Sequence, residues 1–259
     1  MLVGAACLVA SVALLPVFAW NGTSHASAEA SAIALALPDP VAPAFTVPTP
    51  RPLRNPRLHY RSAAVVLPVV ARRAPGGAGP AAGSLATSTP EGTTNIVLIL
   101  GRAREVGGRL WVRVRLPVLP NNTTGWVPRA ALGGYEEIHT RLVVDRESFT
   151  ATLLRDGRPV FRTSVGVGQP AWPTPAGEFY VRNKLTDFDD AFYGPVAFGT
   201  SARSAVLTDW PAGGFVGIHG TNAPELLPGR VSHGCIRMRN EDILELARLM
   251  SVGTPLTIR

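Results

Sequence analysis

Hydrophobic and polar residues alternate along much of the chain, and the alternation predicts a protein built mainly of β-strands. "RLWVRVRL" (109–116) sets Leu110, Val112, Val114 and Leu116 on one face and Trp111, Arg113 and Arg115 on the other, the period of a half-buried strand. "NIVLIL" (95–100) and "TTGWVPR" (123–129) read as neighbouring strands, with a turn in "LPNNTTGW", and "RLHYRSAAVVLPVVARR" (57–73) reads as a strand pair. Beyond Ile138, "IHTRLVVD", "FTATLLRD" and "RPVFRTSVG" are strands, and Asp156-Gly157 marks a hairpin between the last two. "GEFYVRN" and the final "TPLTIR" are two more. "GFVGIHG" (214–220) stays apolar up to His219, which puts that histidine at a strand's end. The one clear helix is "NEDILELARLMSVG" (240–253). Ile243, Leu246, Ala247 and Met250 form its buried stripe, Asn240 is the expected cap, Glu241 and Asp242 suit its positive end, and Gly253 ends it.

The breaks divide the chain into four parts. Residues 1–28 hold a nearly unbroken apolar run, Leu2–Trp20, followed by Ala26-Ser27-Ala28, a small-residue pattern that suits a signal-peptidase site; the run is also long enough for a membrane anchor. Residues 29–56 carry seven prolines between Pro38 and Pro56 and read as a semi-rigid linker. Residues 57–134 form a small β module with a flexible insertion at 74–94, and residues 135–259 form a second, larger β domain that carries the helix.

Charge changes the picture little. Residues 1–135 hold twelve arginines against four acids, whereas 136–259 hold thirteen basic residues against fourteen acids, so the formal +7 belongs to the N-terminal half. No aromatic or base-reading motif accompanies it, which argues against a nucleic-acid reader; an anionic wall or membrane surface suits a loosely basic segment better. On this reading the N-terminal half tethers the protein, and the part beginning near Tyr135 folds alone.

Candidate chemistry lies in "GFVGIHGTNAPELLPGRVSHGCIRM" (214–238), which holds two of the five histidines and one of the two cysteines. In an exported chain Cys235 has no evident disulfide partner, Cys7 being removed or held in the membrane, so an exposed thiol needs a role. Three readings stand. Zinc would have His219, His233 and Cys235 as ligands but lacks the paired short spacings of a structural site. An inert buried thiol would sit poorly among Ser232, His233, Gly234 and Arg237. A nucleophile needs a base, which a histidine supplies, and oxyanion donors, for which the Gly234 and Cys235 N–H groups are at hand. His25, His59 and His139 have no companion motif, and Asp187, Asp189, Asp190, Trp172 and Trp210 are lesser candidates for the cleft.

Two resemblances narrow the choice. "WVRVRLP" followed by "TGWVPR" resembles the bacterial SH3-like modules that precede cell-wall enzymes. "IHGT" (218–221) followed by "SHGCIRM" (232–238), with "WPTPAGEFYV" (172–181) upstream, resembles the L,D-transpeptidase catalytic domain from about Ile138 to Arg259. The resemblance implies a mainly β protein: a small SH3-like module, then a β-sandwich catalytic domain with one clear helix. It implies a transferase of cell-wall biogenesis that forms 3→3 peptidoglycan cross-links through a cysteinyl thioester and releases the terminal D-alanine of a tetrapeptide stem. Cys235 would be the nucleophile and His219 its base. His233, Gly234 and Ser232 would assist or serve the oxyanion, and Arg237, Gly220 and Thr221 would contact substrate. No metal or cofactor is expected. The expected partners are peptidoglycan stem peptides and a wall or membrane surface outside the cytoplasm, with no nucleic acid. An L,D-carboxypeptidase using water as acceptor and a non-catalytic wall-binding protein are the alternatives.

Overall fold

The computed structural model describes residues 59–101, 104–186, 190–207 and 214–259. The signal or anchor expected at 1–28 and the linker at 29–56 lie outside these residues, as do His25, Asp187, Asp189 and Trp210. No helix among the described residues is long and apolar enough to cross a membrane. The structure is mainly β, with one α-helix, α1 (Asn240–Leu249).

The first sheet contains β1 (Tyr60–Val65), β2 (Val69–Arg72), β3 (Ala81–Leu85), β4 (Ile96–Ile99), β5 (Arg104–Val106), β6 (Arg109–Arg115), β7 (Thr124–Pro128) and β8 (Leu132–Ile138). Their order is β3-β2-β7-β6-β4-β1-β8, with β5 on β6. Gly107 and Gly108, both at positive φ, turn β5 into β6, as a two-residue hairpin requires. Val112, Val114 and Leu116 of the 109–116 run face the core with Val65, Val97 and Val127. Both faces depart from the alternation's forecast: Trp111 and Arg115 of the opposite face are buried, and Leu110 of the core face is half exposed. Arg115 is covered because the second sheet packs there; its guanidinium donates to the Asn122 carbonyl at 2.8 Å and lies near Glu178. Within the stretch expected to be a flexible insertion, β3 pairs with β2.

The second sheet contains β9 (Thr140–Asp145), β10 (Thr150–Arg155), β11 (Arg158–Ser164), β12 (Gly166–Gly168), β13 (Gly177–Leu185), β14 (Ala197–Arg203), β15 (Phe215–His219), β16 (Gly229–Ser232), β17 (Ile236–Arg237) and β18 (Pro255–Ile258). Their order is β11-β10-β9-β18-β13-β14-β15-β17-β12-β16. Asp156 (φ 50°) and Gly157 (φ 81°) make the β10–β11 turn. Ile243 and Leu246 of α1, and Met250 just after it, pack into the core beside Phe198, Ile218 and Ile236. Asn240 is not the helix cap: Arg239 holds that position, and the Asn240 Oδ1 accepts from the Thr221 N–H at 2.9 Å.

The two sheets share a buried contact. Tyr60, Leu98 and Ile138 enclose Tyr180 of β13. Glu91 takes two bonds from the Arg182 guanidinium, at 2.9 and 3.0 Å, and one from Asn183 Nδ2 at 3.1 Å. Asn121 donates to the Arg203 carbonyl and accepts from its N–H, at 2.7 and 3.0 Å. These bonds explain why Arg182 and Asn183 can be buried at the centre of a strand, and they join a part beginning near Tyr135 to the first sheet. Such a cut also falls inside β8, which pairs with β1.

The Arg182 side chain is 2% exposed, so removing its partner leaves a buried, uncompensated charge. Glu91→Ala is expected to destabilise the protein by about 3–5 kcal/mol in urea unfolding. A loss below about 1 kcal/mol would mean that the pair behaves like a surface ion pair.

Candidate active site

Two short parallel neighbours in the sheet bring the motif together. β15 ends at His219, β17 follows Cys235 directly, and Ile218 and His219 pair with Ile236 and Arg237. The thiol therefore sits on the turn between β16 and β17, beside the end of β15.

Three polar contacts set that turn. The Ser232 hydroxyl donates to the Cys235 carbonyl at 2.5 Å and accepts from the Gly234 N–H at 3.1 Å. Thr174, from the upstream "TPAG" stretch, donates its hydroxyl to the Gly234 carbonyl at 2.8 Å and accepts from the Gly168 N–H at 2.8 Å. Gly234 has φ 115°, a conformation that side-chain-bearing residues seldom adopt. The Gly234 N–H expected to serve an oxyanion is thus engaged with Ser232. The Cys235 N–H has no acceptor among the described residues.

The Cys235 sulfur accepts from the Gly217 N–H at 3.4 Å. Gly217 adjoins both key groups on one side: a Cβ built there would sit 3.7 Å from His219 Cδ2 and 3.8 Å from Cys235 Sγ. Burial pushes the thiol pKa up, against smaller opposing effects of the Gly217 bond and the Arg237 charge.

His219 is fixed in one tautomer. Its Nδ1 is 2.6 Å from the Gly220 carbonyl, which can only accept, so Nδ1 carries the proton and Nε2 bears the lone pair. Nε2 is buried with no hydrogen-bond partner among the described residues. The Tyr193 ring meets the imidazole edge-on at 4.9 Å, and burial lowers the His219 pKa to about 4. Gly220 is required by close packing, since a Cβ would collide with Asn240 Oδ1 and lie 3.0 Å from the Gly194 Cα.

The His233 ring packs tilted against Trp172 with centroids 4.5 Å apart, and burial, with a smaller contribution from Arg237, lowers its pKa. The Arg237 guanidinium lies 4.4 Å from the centroid of the Phe192 ring, and its Nε is buried without a partner. An open cleft is lined by His219, His233, Gly234, Cys235 and Arg237 together with Phe192, Tyr193 and Phe215. The structure thus gathers five of the eight expected site residues around one space. Ser232, Gly220 and Thr221 lie behind it; the Thr221 hydroxyl accepts from the Ala223 N–H at 3.1 Å. Asp190 caps the short turn Ala191–Tyr193 through the Phe192 N–H, at 2.9 Å. The donor atoms of His219, His233 and Cys235 do not converge as one metal-ligand group.

The family model for the L,D-transpeptidase catalytic domain, YkuD, matches residues 139–258. A Bacillus subtilis protein named as an L,D-transpeptidase, YkuD, is 38% identical over 109 residues, 42% of this chain and 59% of its own. A second named L,D-transpeptidase of that organism, YqjB, is 30% identical over 125 residues, 45% of this chain and 69% of its own. The chain belongs to the L,D-transpeptidase family. Among solved structures, a crystal structure of an Enterococcus faecium L,D-transpeptidase mutant is 27% identical, with a TM-score of 0.37 over 47% of this chain and 50% of that one.

For this L,D-transpeptidase family member the sequence reading passed over Thr174, Gly217 and Tyr193. Thr174 was within reach, because it lies inside the quoted "WPTPAGEFYV" stretch. Gly217 and Tyr193 carry no local signal, since only the pairing of β14, β15 and β17 brings them to the thiol.

The buried imidazole also predicts a stability profile. The unfolded chain binds a proton near pH 6.5, whereas folded His219 stays neutral down to about pH 4. Its contribution is therefore complete above about 6.5 and is lost as the pH falls toward 4, by a total of about 3 kcal/mol. Denaturant midpoints at pH 7 and pH 4.5 should separate less in His219→Gln than in the wild type.

Proposed function

We propose that the protein is an exported peptidoglycan L,D-transpeptidase that works through a thioester at Cys235. The observation that carries this is the Nδ1–Gly220 hydrogen bond, which leaves the His219 Nε2 lone pair unpartnered on the same side of Gly217 as the Cys235 sulfur. A base with a pKa near 4 is unprotonated across the neutral range, and a raised thiol pKa keeps the resting sulfur protonated. Proton transfer therefore accompanies attack, with the imidazole as general base.

In this reading the sulfur attacks the carbonyl of the third residue of a tetrapeptide stem while its proton passes to His219 Nε2. The Cys235 N–H faces the developing oxyanion, a role in which one fixed donor contributes about 3 kcal/mol. The tetrahedral species collapses, the C–N bond to the terminal D-alanine breaks, and His219 returns the proton to the leaving amine. An amine of a second stem then attacks the thioester, giving a 3→3 cross-link and the free thiol. Arg237, buried and without an acceptor for its Nε, is suited to a carbonyl or carboxylate of the donor stem. His233 lines the cleft against Trp172 and completes the site's polar wall. The chemistry requires wall substrate, so the protein acts outside the cytoplasm, and the first sheet suits an SH3-like module of wall enzymes.

Incubation with tetrapeptide muropeptides tests the reading: cross-linked dimer and free D-alanine are expected. Tripeptide alone would mean that water is the acceptor and that the protein is an L,D-carboxypeptidase. A carbapenem should add its mass to the wild type and not to Cys235→Ala; no adduct on the folded wild type would favour a wall-binding protein without catalysis.

The pH dependence of acylation separates the histidines. Wild-type rates should fall only as the pH drops toward about 4, where His219 takes a proton. In His219→Ala the thiol must ionise unaided, and burial holds its pKa above the ordinary thiol value, so activity should be lost at neutral pH and partly return only well above about pH 8.5. His233→Ala should lower the rate at every pH without that recovery.

A further inference from the structure

Remote from the thiol, the passage from the first sheet to the second gathers a second group of donors. β1 and β8 pair with Tyr60 opposite Ile138, so His59 and His139, the next residues outward, are brought side by side with ring centroids 4.7 Å apart. The β10–β11 turn closes over them. The Asp156 N–H donates to the His139 carbonyl at 2.9 Å, and the Asp156 carboxylate lies 3.0 Å from His139 Nδ1. One donor atom from each of the three side chains lies within 4.8 Å of the others, and all three residues are exposed.

We propose that His59, His139 and Asp156 form a binding site for a borderline divalent metal ion of the zinc type. Two imidazoles and one carboxylate are a donor set that zinc accepts, and its bonds of roughly 2.0–2.2 Å put neighbouring donors about 3.3 Å apart in a tetrahedron. The separations in the protein need only small side-chain rotations to reach that value, and exposed side chains make them at little cost. The backbone supplies the preorganisation through the β1–β8 pairing and the bond from Asp156 to the His139 carbonyl. Three protein ligands leave a position for water. Hard cations such as calcium and magnesium, which take oxygen ligands, do not suit this set.

The consequence is mechanical. The three ligands come from the entry to β1, the β8–β9 junction and the β10–β11 turn, so one ion would tie the first sheet to the second at the point where the chain crosses between them. An ion that binds only the folded protein stabilises it by mass action. The site is independent of the reaction at Cys235 and makes no contact with it.

The test uses the untagged full chain carrying Cys7→Ala and Cys235→Ala, so that neither a purification tag nor a thiol contributes. Titration with zinc chloride at pH 7.5, followed by calorimetry, should show one equivalent bound with micromolar affinity and a raised melting temperature. Cobalt(II) at the same site should give the intense visible absorption of a four-coordinate ion. His59→Gln, His139→Gln and Asp156→Asn should each weaken zinc binding by about tenfold or more. Melting in the absence of zinc controls for folding of each variant. No binding at 100 µM zinc, or equal binding by all three folded variants, would overturn the proposal.

Discussion

The Ser232 hydroxyl bonds to both sides of one turn, donating to the Cys235 carbonyl and accepting from the Gly234 N–H. Everything at the candidate site depends on that closure. It holds Gly234 at positive φ, turns the Gly234 carbonyl toward Thr174 and leaves the Cys235 N–H without an acceptor among the described residues. Thr174 extends the same constraint outward, because its hydroxyl also accepts from Gly168 at the end of β12. The thiol is thus fixed by a hydroxyl on each side of its turn, and no flexible side chain intervenes. Ser232 is wholly buried and Thr174 nearly so, so water does not compete for these bonds.

Electrostatics at the site follow from enclosure more than from charge. Burial pushes the thiol up and His219 down, so the resting pair is neutral on both members. The Arg237 charge favours a negative sulfur and disfavours a positive imidazole, in both cases less strongly than burial acts. Its field therefore does not by itself create a standing thiolate–imidazolium pair. A neutral pair with a bare Nε2 is suited to moving a proton during attack, and the tautomer is set by a backbone carbonyl that cannot titrate.

Periodicity made much of the fold legible. The strands at 57–73, 95–100 and 109–116, the Asp156-Gly157 hairpin and the helix stripe all follow from local pattern, because each needs only its own residues to declare a buried face. The histidine at the end of β15 was legible for the same reason. What periodicity could not supply was the second covered face of β6. Arg115 looks like a solvent position until Asn122 and Glu178 come to it, and Trp111 until the turn at Gly77 comes up against its ring. Asn240 illustrates the same limit at one residue: its sequence context says helix cap, yet a long-range bond to Thr221 takes its side chain. Gly217 carried no message in the sequence, and what it supplies is an N–H to the Cys235 sulfur; Gly220, which follows a histidine in the motif, lets Asn240 and Gly194 approach.

The contact between the sheets also reaches the cleft. Phe215, on the cleft wall, has the Arg182 guanidinium 3.7 Å from its ring centroid, and Arg203 lies 4.8 Å from it. Arg182 is held by Glu91 of the first sheet's loop, and the Arg203 backbone is held by Asn121 at the turn before β7. Two cations therefore converge on one aromatic wall, and both are positioned by residues that precede residue 139, outside the matched family segment. Cation–π contacts of this kind strengthen when water is excluded, and Arg182 is fully enclosed. The rigidity of that part of the cleft is consequently a property of the two sheets together: the second sheet supplies Phe215, and the first sheet supplies the carboxylate and the amide that keep its supports in position.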